Sequence, residues 1–292
     1  MQRLFTQAQG DAFLERLASS LPALALTGAG VSVGTGIPTY RDENGTWLRS
    51  APITHQEFIR DARQRQRYWG RSLIGWPAVR EARPAPAHRA LVQLQVGGAV
   101  SHIVTQNVDR LHQRAGSDGV TDLHGRLDRV ICLDCQQPEC REQLQDRLQR
   151  LNPNIISQAV AARPDGDADL PESAVDEVRV ADCRACGGTL MPDVVFFGGS
   201  IPPPRVADAR LALQRSASLL VVGSSLQVYS GFRFCRWAQA DNQPVFIINP
   251  GVTRADSMAW KWAVDADSGL SALLHRLRGE AGAAAPAREA AR

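Results

Sequence analysis

The 292-residue sequence predicts a doubly wound α/β fold built on a parallel sheet. Three observations carry that prediction. Short, mostly apolar runs of strand length recur at residues 23–26, 102–105, 219–222 and 245–248. Segments with helical spacing lie between them. Each run breaks at once into small or amide residues: Gly28-Ala29-Gly30, Gln106-Asn107, Gly223-Ser224-Ser225 and Asn249-Pro250-Gly251. Strands covered on both faces read as continuous apolar runs, and alternation with helices argues for parallel pairing.

Taken in order, residues 7–19 have the pattern of an amphipathic helix leading into the first strand, rather than a secretion signal or transit peptide. After the first loop, helical spacing over 54–76 is expected to end at Pro77. A turn, Pro84-Ala85-Pro86, precedes a helix at 87–94. The strand at 102–105 runs into residues 106–109, then a helix to about Ala115, then a short strand at 120–123 that reaches His124 and Gly125. From 126 to 188 the texture changes to cysteines, a charged helical stretch at 141–151 and a polar loop, which reads as an inserted module. The α/β pattern resumes with strands at 192–197, 219–222 and 245–248. The expected organisation is one domain over 1–279. Its Rossmann-like parts are about 1–48, 84–125 and 189–279. A helical insert takes about 49–83 and a zinc module about 126–188. The last residues, 280–292, have little to bury and are expected to stay disordered.

Composition narrows the function classes. Apolar residues make up 44% of the chain and the net charge is only +3, which gives no bulk electrostatic footprint for nucleic acid. Lys261 is the only lysine; arginine supplies the other positive charges. No apolar run approaches the ~18–20 residues that span a bilayer, so no membrane partner is expected. Four of the six cysteines form two Cys-x-x-Cys pairs, Cys132/Cys135 and Cys183/Cys186. Two such thiolate hairpins supply the four soft ligands of a closed, structural zinc site. Metal rather than disulfide chemistry points to the cytoplasm. Cys140 is a spare thiol nearby, and Cys235 falls in a helical stretch expected to be core.

The loops carry the candidate chemistry. Glycines at 28 and 30 let the backbone turn tightly and approach a ligand; alone, they fit a structural turn as well as a phosphate cradle. The strict dinucleotide fingerprint fails, because Val33 stands at its third glycine. Asn107 and Asp109, at a strand's carboxyl end, can bind ribose hydroxyls or hold a water, and Asp109 can equally cap the next helix. His124 has a side chain suited to proton transfer near neutrality, and a lone histidine is also a common structural residue.

GAGVSVGTGIPTYR from Gly28, TQNVDRLH from Thr105, LHG at Leu123, the two Cys-x-x-Cys pairs and GSS followed by IIN together resemble the sirtuin signature. The resemblance covers roughly residues 20–275. RYWGRSLIGWP from Arg67 and PDVVFFG from Pro192 make it most similar to the class II branch. It implies an NAD-dependent protein-lysine deacylase acting on acylated protein lysines, with NAD as co-substrate and one structural zinc. The products would be nicotinamide, free lysine and O-acyl-ADP-ribose. Mono-ADP-ribosylation of protein and a low-turnover NAD- and zinc-binding module are the rival readings.

By the same resemblance, Gly28, Ala29, Gly30, Ser32, Ile37, Pro38, Tyr40, Arg41, Gln106, Asn107, Asp109, Gly223, Ser224, Ser225, Asn249, Pro250, Gly251 and Asp267 are the expected NAD contacts. His124 is the expected base, with Asn107 and Asp109 beside it. Val195, Phe196, Phe197 and Gly198 are expected to pair with an extended substrate peptide. The sequence departs from the family pattern at Thr39, where Asp is usual, at Thr35, where Ser is common, and at Gly199, where an acidic residue is usual. Tyr68 and Arg71 resemble the class III pair that grips acidic acyl groups, and also suit a packed or surface-paired helix.

Overall fold

The computed structural model describes residues 7–35, 53–155, 162–163 and 167–283. The first half runs through α1 (Gln7–Ala18), β1 (Ala23–Thr27), a 3-10 turn over Ala29–Thr35, α2 (His55–Arg60), α3 (Ala62–Glu81), α4 (Pro86–Val96), β2 (Val100–Thr105), α5 (Leu111–Ala115), β3 (Val120–Asp122), β4 (Gly125–Cys132) and β5 (Pro138–Cys140). It continues through α6 (Arg141–Leu151), β6 (Ala162–Arg163), β7 (Asp167–Ala168), α7 (Glu172–Val175), β8 (Leu190–Val194), α8 (Pro203–Gln214), β9 (Ser218–Val222), α9 (Tyr229–Ala240), β10 (Val245–Ile248), β11 (Trp260–Trp262) and α10 (Ala266–Ala283).

Strand side chains alternate between two apolar layers. Ala23, Ala25, Leu220, Val222, Phe246 and Ile248 face a layer built with Phe13 and Leu17 of α1, Leu91 and Leu94 of α4, and Leu270 and Leu273 of α10. Leu24, Leu26, Leu219, Val221, Val245 and Ile247 face the opposite layer, with Leu213 of α8 and Phe234 and Ala238 of α9. Cys235 is buried in that second layer, as its helical setting suggests. With both faces covered there is no solvent side to alternate towards, hence the continuous apolar runs.

The strands form one six-stranded sheet in the order β11-β10-β9-β1-β2-β3, all pairs parallel. From β1 the chain builds outward through β2 and β3, then returns to the other side through β9, β10 and β11. The direction of build reverses between β1 and β9. In open parallel sheets the crevice at the carboxyl ends of such a pair is where ligands bind.

A smaller lobe is made from the two inserted segments together. Phe58 of α2 and Trp69 and Leu73 of α3 share one core with Val130 and Cys132 of β4, Leu144 and Leu148 of α6, and Leu190 of β8. Its sheet is antiparallel, in the order β5-β4-β8. Thus the strand expected at 192–197 does not rejoin the parallel sheet. It is β8, two residues earlier, and it pairs with β4. The sixth parallel strand is instead β11, whose three residues are too few to show a pattern.

The helix expected over 54–76 is two helices. Asp61 ends α2 and caps α3, its carboxylate accepting from the Arg63 and Gln64 amides. Pro77 does not end α3, which continues to Glu81. A proline inside a helix leaves the carbonyl four residues back without its partner. Here that carbonyl, on Leu73, accepts from Gln145 Nε2 at 2.8 Å. Arg141 on the same face of α6 is buried and donates to the Ser72 carbonyl and to Gln145 Oε1. Its guanidinium lies 4.7 Å from the Trp76 ring centroid. Burial without a carboxylate pushes its pKa down to about 10. At the other end of the chain, α10 runs to Ala283, past the boundary expected at 279. Among the described residues, no helix is long and apolar enough to cross a membrane.

Candidate active site

Two glycine loops interlock at the switch point. The Gly28 amide donates to the Val222 carbonyl at 3.1 Å, and the Gly30 amide donates to the Gly223 carbonyl at 2.8 Å. A Cβ on Gly30 would stand 2.6 Å from Gly223 Cα, and one on Gly28 would stand 2.8 Å from the Gly223 oxygen. Gly223 is itself left-handed, with φ +60°. The glycines are therefore required first by each other. Gly223 and Ser224 are braced from both sides, Gly223 by its amide bond to the Ile248 carbonyl and Ser224 Oγ by Gln106 Nε2 at 2.8 Å.

Residues 106–109 leave the adjacent strand β2 and reach across to the first loop. Asn107 Nδ2 donates to the Gly28 carbonyl and to Ser32 Oγ, both at 3.1 Å. Ser32 in turn donates to Asp109 Oδ2 at 2.8 Å, while Asp109 Oδ1 accepts from the Leu111 amide at 2.9 Å. Asp109 thus ties the first amide of α5 to the Ser32 hydroxyl of the first glycine loop. Burial raises its pKa, against the lowering pull of the Leu111 and Ser32 donors.

His124 follows β3 at the same edge. Its Nδ1 lies 3.0 Å from the Gln106 carbonyl oxygen and its Nε2 lies 2.7 Å from Ser230 Oγ. Burial pushes its pKa down to about 4, and the charges of Arg205 and Arg233 push the same way against the Gln106 carbonyl. The half-buried imidazole is neutral at neutral pH, the form a base needs. Ser230, in the first turn of α9, belongs to no motif that singles it out in the sequence.

The remaining expected contacts are placed as follows. Ile37, Pro38, Tyr40 and Arg41 lie outside the described residues, as does Thr39. Ala29 opens the 3-10 turn between the two glycines. The Asn249–Gly251 loop ends β10 on the same edge, with Asn249 Nδ2 donating to the Gly251 carbonyl and Lys261 Nζ to the same oxygen. The Ser225 carbonyl accepts from the Arg254 amide. Asp267 sits in the first turn of α10, where Oδ1 accepts from the Ala87 amide of α4 at 2.7 Å and Oδ2 lies beside Gly34.

Val195–Gly198 extend from β8 past His124. The Val195 amide donates to the His124 carbonyl at 2.7 Å, and the Phe197 carbonyl accepts from the His55 amide at 2.9 Å. The Phe196 ring stacks on Phe58 and meets Tyr68 edge-on. Gly198 is left-handed, φ +75°. Arg71 is buried and paired with Asp167, and its Nε donates to the Ala168 carbonyl at 2.9 Å. That guanidinium holds the β6–β7 ribbon onto α3, and Tyr68 belongs to the aromatic cluster.

The four predicted zinc ligands converge. Their sulfurs all lie within 4.8 Å of one another, with Cys132 to Cys186 at 3.5 Å and Cys135 to Cys183 at 3.7 Å. Four thiolates at the usual Zn–S bond length of about 2.3 Å form a tetrahedron with edges of about 3.8 Å. A residue with positive φ follows each hairpin's second cysteine, Gln136 at 61° and Gly187 at 74°, so the two turns are equivalent. The donor set fits one structural zinc ion with no open position.

A parallel sheet whose switch point carries interlocked glycines, a Gln-Asn-x-Asp arm and a neutral histidine defines a nucleotide-dependent enzyme with a zinc-bearing second lobe. The Sir2 family model matches residues 28–230, and the chain belongs to that family. It is 49% identical over 249 residues to an NAD-dependent protein deacetylase of Xanthomonas campestris, covering 85% of each chain. It is 48% identical over 239 residues to the human mitochondrial NAD-dependent protein lipoamidase sirtuin-4, covering 81% of this chain and 76% of that one. Among solved structures it resembles a Sir2 homolog–NAD complex with a TM-score of 0.70 at 29% identity, covering 92% of this chain and 94% of that one.

Proposed function

We infer that this protein is an NAD-dependent protein-lysine deacylase. The observation that carries the reading is the network of Ser32, Asn107 and Asp109 on the first glycine loop, with His124 on the Gln106 carbonyl next to Asn107, in a Sir2-family chain. NAD supplies an anomeric carbon activated by its nicotinamide leaving group, and the acyl group passes from lysine to ADP-ribose. Gly28, Ala29, Gly30, Gly223, Ser224 and Ser225 line the switch point on the pyrophosphate side, where the side-chain-free loops let a ligand approach closely. Asn249, Pro250, Gly251 and Asp267 extend that surface. Gln106, Asn107 and Asp109 hold the reacting end, together with Ile37, Pro38, Tyr40 and Arg41. His124 takes a proton from a ribose hydroxyl at Nε2. Val195, Phe196, Phe197 and Gly198 align an extended peptide by strand pairing. Holding both substrates at one edge replaces an improbable encounter with a positioned one.

The catalytic unit is read as one domain that continues through α10, with the insert at about 49–83 and the cysteine-bearing segment from β4 through β8 acting as one lobe. The reduced-thiol metal site favours the cytoplasm, and the low net charge disfavours a nucleic-acid partner. The deciding experiment incubates a panel of acyl-lysine peptides with NAD and weighs the products. O-acyl-ADP-ribose with free lysine supports the reading. ADP-ribosylated protein would replace it with mono-ADP-ribosylation, and neither product would leave a binding module.

A further inference from the structure

Arginines around this site are paired with few exceptions. Arg110 bonds Asp122, Arg126 bonds Asp128, and Arg129 bonds Asp193. Arg205, Arg233 and Arg254 are exceptions, and Arg254 lies over the Phe232 ring, 4.4 Å from its centroid. Arg205, in the first turn of α8, is half-buried yet makes no hydrogen bond or ion pair among the described residues. Arg233 of α9 lies 5.7 Å from the ring centroids of both Tyr229 and Trp237, and its Nε is buried without a partner. An uncompensated guanidinium held partly out of water is a standing attraction for an anion.

Arg205 opens into a cavity of about 160 Å³ that it shares with His55, Asp193, Val195, Gly199 and Ser200. This is well above the ~10–15 Å³ that one water needs. The one carboxylate in its wall, Asp193, is engaged by Arg129, whose Nε stands 2.8 Å away. The uncommitted charge of the cavity is therefore positive. The cavity borders Val195, the first residue of the segment expected to pair with substrate, and His55, whose amide holds the Phe197 carbonyl. A strand laid along that segment sends alternate side chains to opposite faces, which brings a neighbour of the reacting lysine over this wall.

We propose that Arg205 is a specificity-determining residue that binds, in this cavity, the carboxylate of an Asp or Glu side chain within two residues of the acylated lysine. The proposal rests on the deacylase reading. Arg233 adds positive field without reaching into the cavity wall.

The test uses acetyl-lysine peptides that differ only in Glu, Gln or Lys at each flanking position from −2 to +2. Each is assayed with NAD at low and high ionic strength, with wild type, Arg205→Gln and Arg205→Glu. The expected result is a preference for Glu over Gln of about tenfold in kcat/KM at one position, carried by KM and weakened by salt. Arg205→Gln should abolish it and Arg205→Glu should turn it towards Lys, with zinc content and the NAD-induced melting shift kept. Wild type indifferent to flanking charge overturns the proposal, as does a Glu preference that survives in Arg205→Gln. A preference for a carboxylate on the acyl chain alone overturns it too. Those outcomes leave the deacylase reading intact, whereas no turnover of any peptide removes both.

Discussion

The carbonyl oxygen of Gln106, 3.0 Å from His124 Nδ1, settles which ring nitrogen carries the proton. A carbonyl can only accept, so Nδ1 donates and Nε2 keeps its lone pair. Ser230 then donates to Nε2 at 2.7 Å, so the ring's lone pair is held by a hydroxyl. General bases contribute about 10²–10⁴-fold, so His124→Ala should lower deacylation by at least ~100-fold while keeping zinc and most of the NAD-induced thermal shift. Turnover within about threefold of wild type would place the base elsewhere.

The pH profile follows from the same ring. An unperturbed histidine would give an acid limb near pH 6.5. With its pKa pushed down to about 4, His124 stays unprotonated through the whole range in which the protein is handled. kcat/KM should therefore show no histidine limb between pH 5.5 and 8, in the sense of roughly constant values where folding is intact. A limb centred near 6.5 that His124→Ala alone removes would contradict this.

Stability, by contrast, should fall as acid is added. His88 and His112 are buried with ring centroids 4.8 Å apart, and burial pushes their pKa values down to about 4 and about 3. His88 Nδ1 accepts from the Ala85 amide, a bond that protonation would destroy. Below about pH 6.5 the unfolded chain binds protons that the folded chain refuses, so stability rises with pH in this window and is lost as pH falls. Each histidine contributes a slope of up to about 1.4 kcal/mol per pH unit down to its folded pKa. Denaturant melts at pH 5 and 7 should show the loss. His88→Ala should lower stability at pH 7 and flatten the slope by about one proton.

Ligand linkage tests the interlocked loops. NAD at a hundredfold excess over its Kd should stabilise the fold by about 2.7 kcal/mol. Gly30→Ala places a methyl 2.6 Å from Gly223 Cα, so it should lower the melting temperature and remove the NAD-induced shift. An unchanged shift in Gly30→Ala would show that this pair of loops does not form the site.

Zinc holds together a lobe whose sheet has only three strands. Cys183→Ser should release the ion and lower stability, because the four-thiolate tetrahedron loses a ligand. Metal analysis of freshly purified wild type should give one zinc per chain, and none would refute the site.

The parallel sheet and the cysteine cluster were legible because each has a short-range signature. Runs such as residues 219–222 are apolar on both faces, and Cys-x-x-Cys is a local hairpin. What was not legible depends on distant partners. Pro77 looks like a helix end until Gln145 supplies the donor for Leu73. The 192–197 run looks like a parallel strand because apolar content does not state which sheet it joins. The glycines of the first loop read as room for phosphate, and the structure adds a reason no local pattern holds, their contact with Gly223. Arg71 suits an acyl grip or a paired helix in the sequence, and its partner Asp167 lies 96 residues away. Ser230 and Arg205 carry no motif, only position.

The contact between Gly30 and Gly223 also has a meaning for synthesis. β1 is among the first elements to leave the ribosome, yet its neighbour β9 is made only after both inserts. Until then one edge of β1 has no partner and the first loop has nothing to brace it. Long-range pairings of this kind form slowly and leave apolar edges open meanwhile. A nascent chain stalled before Gly223 should therefore fail to retain NAD and should engage chaperones, however complete its zinc lobe.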